Sequence, residues 1–279
     1  MAMKPPDFSD RNVYVVGGSA GIGLSVARKA AGLGAHVTVF ARRPPLLEAA
    51  AAEILAARRN SSQRVSQRVM DVADHARVVA VMSATVAEVG PPDVLINCAG
   101  RALPRRFEDV THEQFEETMR VNLHGCWNTV QTLLPHMKGR GGYIVNTSSM
   151  AGLIGVFGYT DYCASKFALI GFSEALRSEL KPYGIVVSVL CPPDTDTPGF
   201  ENENKTKPEE TKAISATAKV MTADAVAAAL LRGMAKRQFL IVPGLDGRLT
   251  VLAKRLLPGV VAWVMDRTVA RVGRLRNAR

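Results

Sequence analysis

"NVYVVGGSAGIGLSVARKAAGLG", residues 12–34, changes periodicity within a few positions. NVYVVG (12–17) is a short apolar run rich in β-branched side chains, as expected of a strand covered on both faces. From Gly21 to Gly34 the pattern is helical. The hinge between them is GGSAGIG, residues 17–23. Gly17 permits a tight turn, Gly21 lets backbone approach a pyrophosphate, and Gly23 lets the helix pack closely on the sheet, while the helix N-terminus favours an anion. A glycine triplet alone is weak evidence; a strand before it and a helix after it supply the context that a dinucleotide requires. Gly17, Ser19, Ala20, Gly21, Ile22 and Gly23 are therefore cofactor-binding candidates.

The same alternation continues along the chain. HVTVFA (36–41), RVSQRVMDV (64–72), DVLINCAG (93–100), GGYIVNTSS (141–149), GIVVSVLC (184–191) and FLIV (239–242) read as strands. Helical stretches lie between them, at 44–59, up to about 88, 111–137 (one or two helices), 159–181 and 222–236, the last with Thr222 as N-cap. Near-continuous apolar strands separated by helices predict an α/β fold, a Rossmann-type doubly wound parallel sheet in a single domain. Residues 1–246 make that domain, and 247–279 form a basic, amphipathic helical extension.

The totals exclude several classes. With 279 residues, 47% hydrophobic and 22% charged, the chain is an ordinary globular protein large enough to bury its own core. Cys98, Cys126, Cys163 and Cys191 are scattered, with neither a CxxC pair nor zinc spacing, so they read as free thiols and no metal is expected. No stretch of 18 apolar residues predicts a membrane span, and MAMKPPDFSD has no apolar leader. The net charge of +10 raises nucleic acid as a partner, but eight basic residues against two acidic ones fall between Asp246 and Arg279. Nucleic-acid motifs and aromatic platforms are missing, so nucleic acid is not expected.

The second strand ends in FARR. An NAD site usually places an acidic residue about 20 positions past the glycines to meet the ribose 2′-OH; arginine there suits a 2′-phosphate. Arg42 and Arg43 thus predict NADPH. Chemistry is carried further on. Tyr162 and Lys166 are four apart and share a helix face; Ser149 ends a strand thirteen residues earlier; Asn122 sits in VNLHG, in a stretch otherwise helical, where asparagine is a poor former. A tyrosine near pKa 10 releases protons poorly at neutral pH, and a neighbouring ammonium is expected to lower that value. Tyr162 is then the general acid, tuned by Lys166, with Ser149 holding the carbonyl. Tyr159 has Cys163 as its partner four residues on, cannot form such a pair, and is expected to pack or line the pocket.

GGSAGIG, Asp71 with Val72 in MDV, NCAG with Asn97, Ala99 and Gly100, then Asn122, Ser149, Tyr162 and Lys166 occur in an order and spacing that resembles the short-chain dehydrogenase/reductase superfamily over about residues 10–245. Val16 departs from it, where threonine is frequent. The resemblance implies that Asn122, Ser149, Tyr162 and Lys166 are catalytic, that Lys166 also grips the nicotinamide ribose, and that Asn122 holds a water for proton relay. It adds Asp71, Val72, Asn97, Ala99, Gly100, Pro192, Thr195 and Thr197 as cofactor contacts, and it implies a homo-dimer or homo-tetramer through the Tyr162 helix. Pro193 stands where that family has glycine.

CPPDTDTPGFENENKTKPEE (191–210) is too polar for core and too long for a turn; with the residues to about 220 it is expected to be a substrate lid. It resembles the loop of the 3-ketodihydrosphingosine (3-dehydrosphinganine) reductases, as does the stretch Ser149–Tyr183. That resemblance implies reduction of a long-chain sphingoid ketone at C3 with NADPH. Asp194, Asp196, Glu201 or Glu203 is then expected near the substrate ammonium. Two alternatives stand: reduction of another lipid, steroid or acyl ketone, and a dinucleotide-binding regulator without catalysis. In the extension, Leu249, Leu252, Leu256, Val260, Trp263 and Val264 mix with Lys254, Arg255, Arg267, Arg271, Arg274 and Arg276. That pattern suits a helix lying on the cytoplasmic face of an anionic membrane, or one packed on the domain or another subunit.

Overall fold

The computed structural model describes residues 7–216 and 218–277. Part of the N-terminal segment, Thr217 of the expected lid and the side chain of Arg276 lie outside the described residues. The chain runs β1 (Asn12–Val16), α1 (Gly21–Gly32), β2 (His36–Ala41), α2 (Pro44–Ala56), β3 (Val65–Val69), α3 (His75–Val89) and β4 (Val94–Asn97). It continues through α4 (His112–Met119), α5 (Gly125–Met137), β5 (Gly142–Thr147), α6 (Thr160–Leu180) and β6 (Ile185–Leu190). After β6 come β7 (Thr195–Asp196), α7 (Pro198–Asn204), α8 (Glu209–Ser215) and β8 (Met221–Thr222). The last elements are α9 (Ala223–Ala235), β9 (Leu240–Ile241), α10 (Leu245–Leu256) and α11 (Pro258–Asn277).

Seven strands form one sheet in the order β3-β2-β1-β4-β5-β6-β9, every pairing parallel. The order reverses beside β1, so β1 and β4 splay their following loops apart and open a crevice at their carboxyl ends. Period-two alternation divides the core. Val13 and Val15 face α1 and α9, meeting Val26, Ala30 and Leu230. Tyr14 and Val16 face the other way, toward α3, α5 and α6, among Met82, Leu133 and Leu169. Val16 is thus a core side chain, which accounts for an apolar residue at that position.

Helix starts follow local chemistry. Asp74, Thr111 and Thr222 each accept a hydrogen bond from a backbone N–H three residues on, a cap worth about 1 kcal/mol. The stretch 111–137 forms two helices joined by a π turn at Arg120–His124. Such turns are rare and concentrate at functional sites; this one contains Asn122. Among the described residues, no helix is long and apolar enough to cross a membrane.

Candidate active site

The glycine turn has the geometry of an anion cradle. Gly17 has φ +80°, and a Cβ there would lie 2.5 Å from the Ala99 nitrogen. A Cβ on Gly23 would lie 2.2 Å from the Gly17 carbonyl oxygen, so the start of α1 touches the turn directly. Ala20, the N-cap of α1, makes no side-chain cap bond, and the first turn holds no acidic residue. The first N–H groups of α1 are left for an external anion. Ser19 and Ile22 complete the turn. Across the crevice, Thr197 packs on Gly21, its Cγ2 2.9 Å from where a Cβ would be. The segment from Pro192 to Thr197 therefore faces the cradle. Its backbone is held by Met150 N–H donating to the Pro192 carbonyl (3.0 Å), the Thr195 hydroxyl donating to the Pro193 carbonyl (2.7 Å), and Thr197 capping α7.

Arg42 ends up just past β2, largely exposed, with Nη1 3.7 Å from Asp71 Oδ2. Arg43 follows as the N-cap of α2, also exposed. Asp71 spends its other oxygen on the Ala73 N–H at 3.0 Å. Val72 is buried against Gly125, and its carbonyl accepts from Asn128 Nδ2 at 3.0 Å. Asn97 is committed elsewhere too. Its Nδ2 donates to Asn146 Oδ1 (3.0 Å) and its Oδ1 accepts from Thr129 (2.9 Å), while Asn146 donates to Ser173 (2.9 Å). This buried network fixes the ends of β4 and β5 against α5 and α6. The side chains of Val72 and Asn97 hold the frame, whereas Ala99 and Gly100 line the approach: a Cβ on Gly100 would stand 3.4 Å from both Asn122 Oδ1 and Lys166 Nζ.

Asn122, Ser149, Tyr162 and Lys166 converge there. Asn122 is buried; its Oδ1 accepts from Arg101 N–H (2.8 Å), and its Nδ2 donates to the Arg101 carbonyl (3.0 Å) and to Ser165 Oγ (2.9 Å). The π turn offers this side chain to the β4 loop and α6 together. The Ser149 hydroxyl accepts from Ala151 N–H at 3.1 Å and is hydrogen-bonded to the Tyr162 phenol. Lys166 Nζ donates to the Thr147 carbonyl at 2.8 Å and lies 5.6 Å from the Tyr162 ring centroid.

Here the expected tuning of Tyr162 needs correcting. Burial pushes its phenol above the ordinary value, the Glu203 carboxylate pushes the same way, and the Ser149 hydrogen bond only partly opposes them. Lys166 is itself buried, 3% exposed, and burial lowers its ammonium to about 8. The cost of desolvating the charged form is the largest cause of both shifts.

Several contributors went unnoticed in the sequence. Asp161 is buried at the start of α6, where its Oδ1 accepts from Tyr162 N–H (2.8 Å) and its Oδ2 from Thr118 (2.8 Å) and Gln114 (3.1 Å). It is a carboxylate at a helix N-terminus that locks the turn bearing the tyrosine. Arg106 donates to both oxygens of buried Glu210 (2.6 and 2.8 Å), tying the β4 loop to α8. Of the four acids expected near the substrate ammonium, Asp196 and Glu201 are exposed, and Asp194 lies 3.6 Å from the buried Lys207 ammonium. Glu203 turns toward the tyrosines: its Oε2 accepts from the Tyr159 hydroxyl at 2.9 Å, and the Tyr159 ring lies 5.4 Å from the Tyr162 ring. Burial raises the Glu203 carboxyl. Tyr159 thus lines the site as well as packing.

Comparison with known proteins fits this geometry. Residues 11–208 match the family described as short chain dehydrogenase. A 3-dehydrosphinganine reductase of Danio rerio is 43% identical over 246 residues, covering 88% of this chain and 74% of that protein. A 3-ketodihydrosphingosine reductase of Bos taurus is 41% identical over the same shares of both chains. Among solved structures, levodione reductase superimposes with a TM-score of 0.78 at 26% identity, covering 86% of this chain and 99% of that one. The chain belongs to the short-chain dehydrogenase family, and it is an oxidoreductase of that family.

Proposed function

We propose that the protein reduces the C3 ketone of 3-dehydrosphinganine to the alcohol, using NADPH. A nicotinamide dinucleotide would be held by the backbone of 17–23, by Ala99 and Gly100, and by Pro192, Thr195 and Thr197. When bound it supplies the hydride. The chain's own residues do the rest. Ser149 orients the ketone oxygen and Tyr162 delivers the proton to it. A phenol whose value is raised by burial stays protonated at neutral pH, which suits a donor. Lys166 keeps positive charge beside the phenolate that forms, and Asn122 holds the loop through which the proton is replaced. Arg42 and Arg43 occupy the end of β2 with no acidic side chain between Phe40 and Arg43, which favours a 2′-phosphate over a bare ribose.

The observation that carries the substrate is Glu203. A carboxylate folded inward beside Tyr159 and Tyr162 suits a ketone with an ammonium on the next carbon. A steroid or acyl ketone offers it no cation, and a binding-only regulator has no use for four converging catalytic groups. The test is NADPH oxidation with 3-dehydrosphinganine in detergent micelles, with NADH and Tyr162→Phe as controls. Turnover that is lost in the variant is the expected result; tight NADPH binding without turnover on this ketone would return the choice to the other ketones.

Two partner readings accompany it. Leu245, Leu249, Leu252 and Leu256 form an exposed stripe on α10, continued by Val260, Trp263 and Val264 on α11, with the Arg267 guanidinium 5.1 Å from the Trp263 ring centroid. Such a surface suits peripheral contact with an anionic membrane on its cytoplasmic face; flotation with anionic vesicles should fall when Trp263 and Leu256 are changed to Ser. Trp127 on α5 and Phe167 on α6 are about half exposed and suit a second copy packing across these helices, which sedimentation would detect.

A further inference from the structure

A cavity lies outside the cofactor crevice. It has a volume of about 540 Å³ and lies between the loop after Ser149, the first turns of α6, α8 and α11. Its walls include Val156 and Phe157 from the loop, Cys163 from α6, Ile214 from α8, and Met265 and Val269 from α11. We infer that this cavity is the binding site for the alkyl chain of the substrate, with α11 as its outer wall.

Three observations converge. The chemistry is right: these six walls are apolar, with Thr160 and the exposed Asp266 the polar residues of the lining, whereas the cavity of about 310 Å³ next to Arg105, Arg106 and Asp109 carries three charged side chains. The place is right: Val156 and Cys163 belong to the same apolar cluster as Tyr159 and Tyr162, and Cys163 directly follows the catalytic tyrosine. The size is right, since sites for small molecules occupy roughly 300–1,000 Å³. The extension explains itself in the same way. Val261, Met265, Thr268 and Val269 are half-buried on the inner side of α11, while Val260, Trp263, Val264 and Arg267 are exposed on its outer side. One helix therefore separates the cavity from the surface proposed to meet lipid.

The inference rests on the reading of the substrate as a long-chain amino ketone, so the experiment separates the two. The full-length protein and the variants Val269→Trp and Ala270→Trp are assayed with NADPH on a series of α-amino ketones of increasing chain length. Ala270 is exposed at the cavity rim, so a bulky residue there leaves the fold intact should Val269→Trp disturb it. Wild type should gain about fourfold in kcat/KM per added methylene, the equivalent of about 0.8 kcal/mol. In the variants the gain should stop early, with a loss of roughly 50-fold for the longest chain if three methylenes are expelled, and none for the shortest. The same chain-length slope in wild type and variants would overturn the cavity. If no amino ketone of any length turns over, the substrate reading fails, and labelling by a long-chain amine carrying a terminal diazirine decides the cavity. Adducts in 155–163 or 265–270 keep it as an alkyl site; adducts elsewhere overturn it.

Discussion

Glu203→Gln keeps the shape of the side chain and its acceptor for Tyr159 while removing the charge. In the structure this carboxylate receives the Tyr159 hydroxyl at 2.9 Å on Oε2 and lies against the tyrosine pair. A hydrogen bond to a charged group contributes about 1.5–3 kcal/mol. For an amino ketone whose ammonium meets Glu203, kcat/KM should therefore fall about 10- to 150-fold, mostly through KM, since the cation is bound before and during the reaction alike. The assay compares 3-dehydrosphinganine with its desamino analogue of equal chain length, both at saturating NADPH. The desamino ketone should be unaffected. A second consequence concerns Tyr162: Glu203 is one of the groups that push its phenol up, so the variant phenol should titrate at lower pH. Equal losses on both ketones would mean that Glu203 only props Tyr159 in place, and no loss on either would remove it from the site.

Arg42→Ala should raise the KM for NADPH about 10- to 100-fold and leave that for NADH unchanged, as one charge-assisted contact would require; an unaltered NADPH preference would move the 2′-phosphate site away from β2. For pH, Lys166 titrates near 8 when folded against an ordinary 10.5. Its ammonium is present below 8 and lost above, so kcat/KM should fall as pH rises through about 8. Stability moves the other way: between 8 and 10.5 the unfolded chain binds more protons than the folded one, so Lys166 adds stability as pH rises. Denaturation at pH 7 and 9.5, with Lys166→Met as the reference, separates lost activity from unfolding. Gly23→Ala places a methyl 2.2 Å from the Gly17 oxygen and should cost about 1–3 kcal/mol as overpacking does, together with NADPH binding measured by fluorescence titration. Gly171→Ala, in α6 with no atom within 4 Å of the new methyl, should instead stabilise by about 0.5–1 kcal/mol.

The sheet was legible because its signals are local. Strands such as NVYVV and HVTVFA carry their burial in consecutive residues, and the glycine turn needs particular backbone angles that few other residues adopt. Tyr162 and Lys166 were legible for the same reason, being four apart on one helix. Local reasoning failed where contacts span the chain. Asp161 looks like an ordinary acid at a helix start, yet it is held by Gln114 and Thr118 from a helix more than 40 positions away. Glu210 in a polar loop reads as solvated, but it is buried against Arg106. Within that polar stretch only Lys207 and Glu210 among the charged side chains are buried, and each meets an opposite charge, Asp194 and Arg106. The expected effect of Lys166 on Tyr162 failed for a related reason: spacing shows that two groups share a face, but not how much water surrounds them.

Residue order alone was sufficient for the parallel α/β architecture and for the strand–glycine turn–helix at its start, since each depends on neighbours within a turn or a strand. Folding in three dimensions was needed to bring Glu203 against Tyr159, to bury Tyr162 and Lys166, and to bring α11 against α8 and the loop after Ser149. Those outcomes depend on burial and on which distant segments meet, and neither quantity exists until the chain has closed on itself.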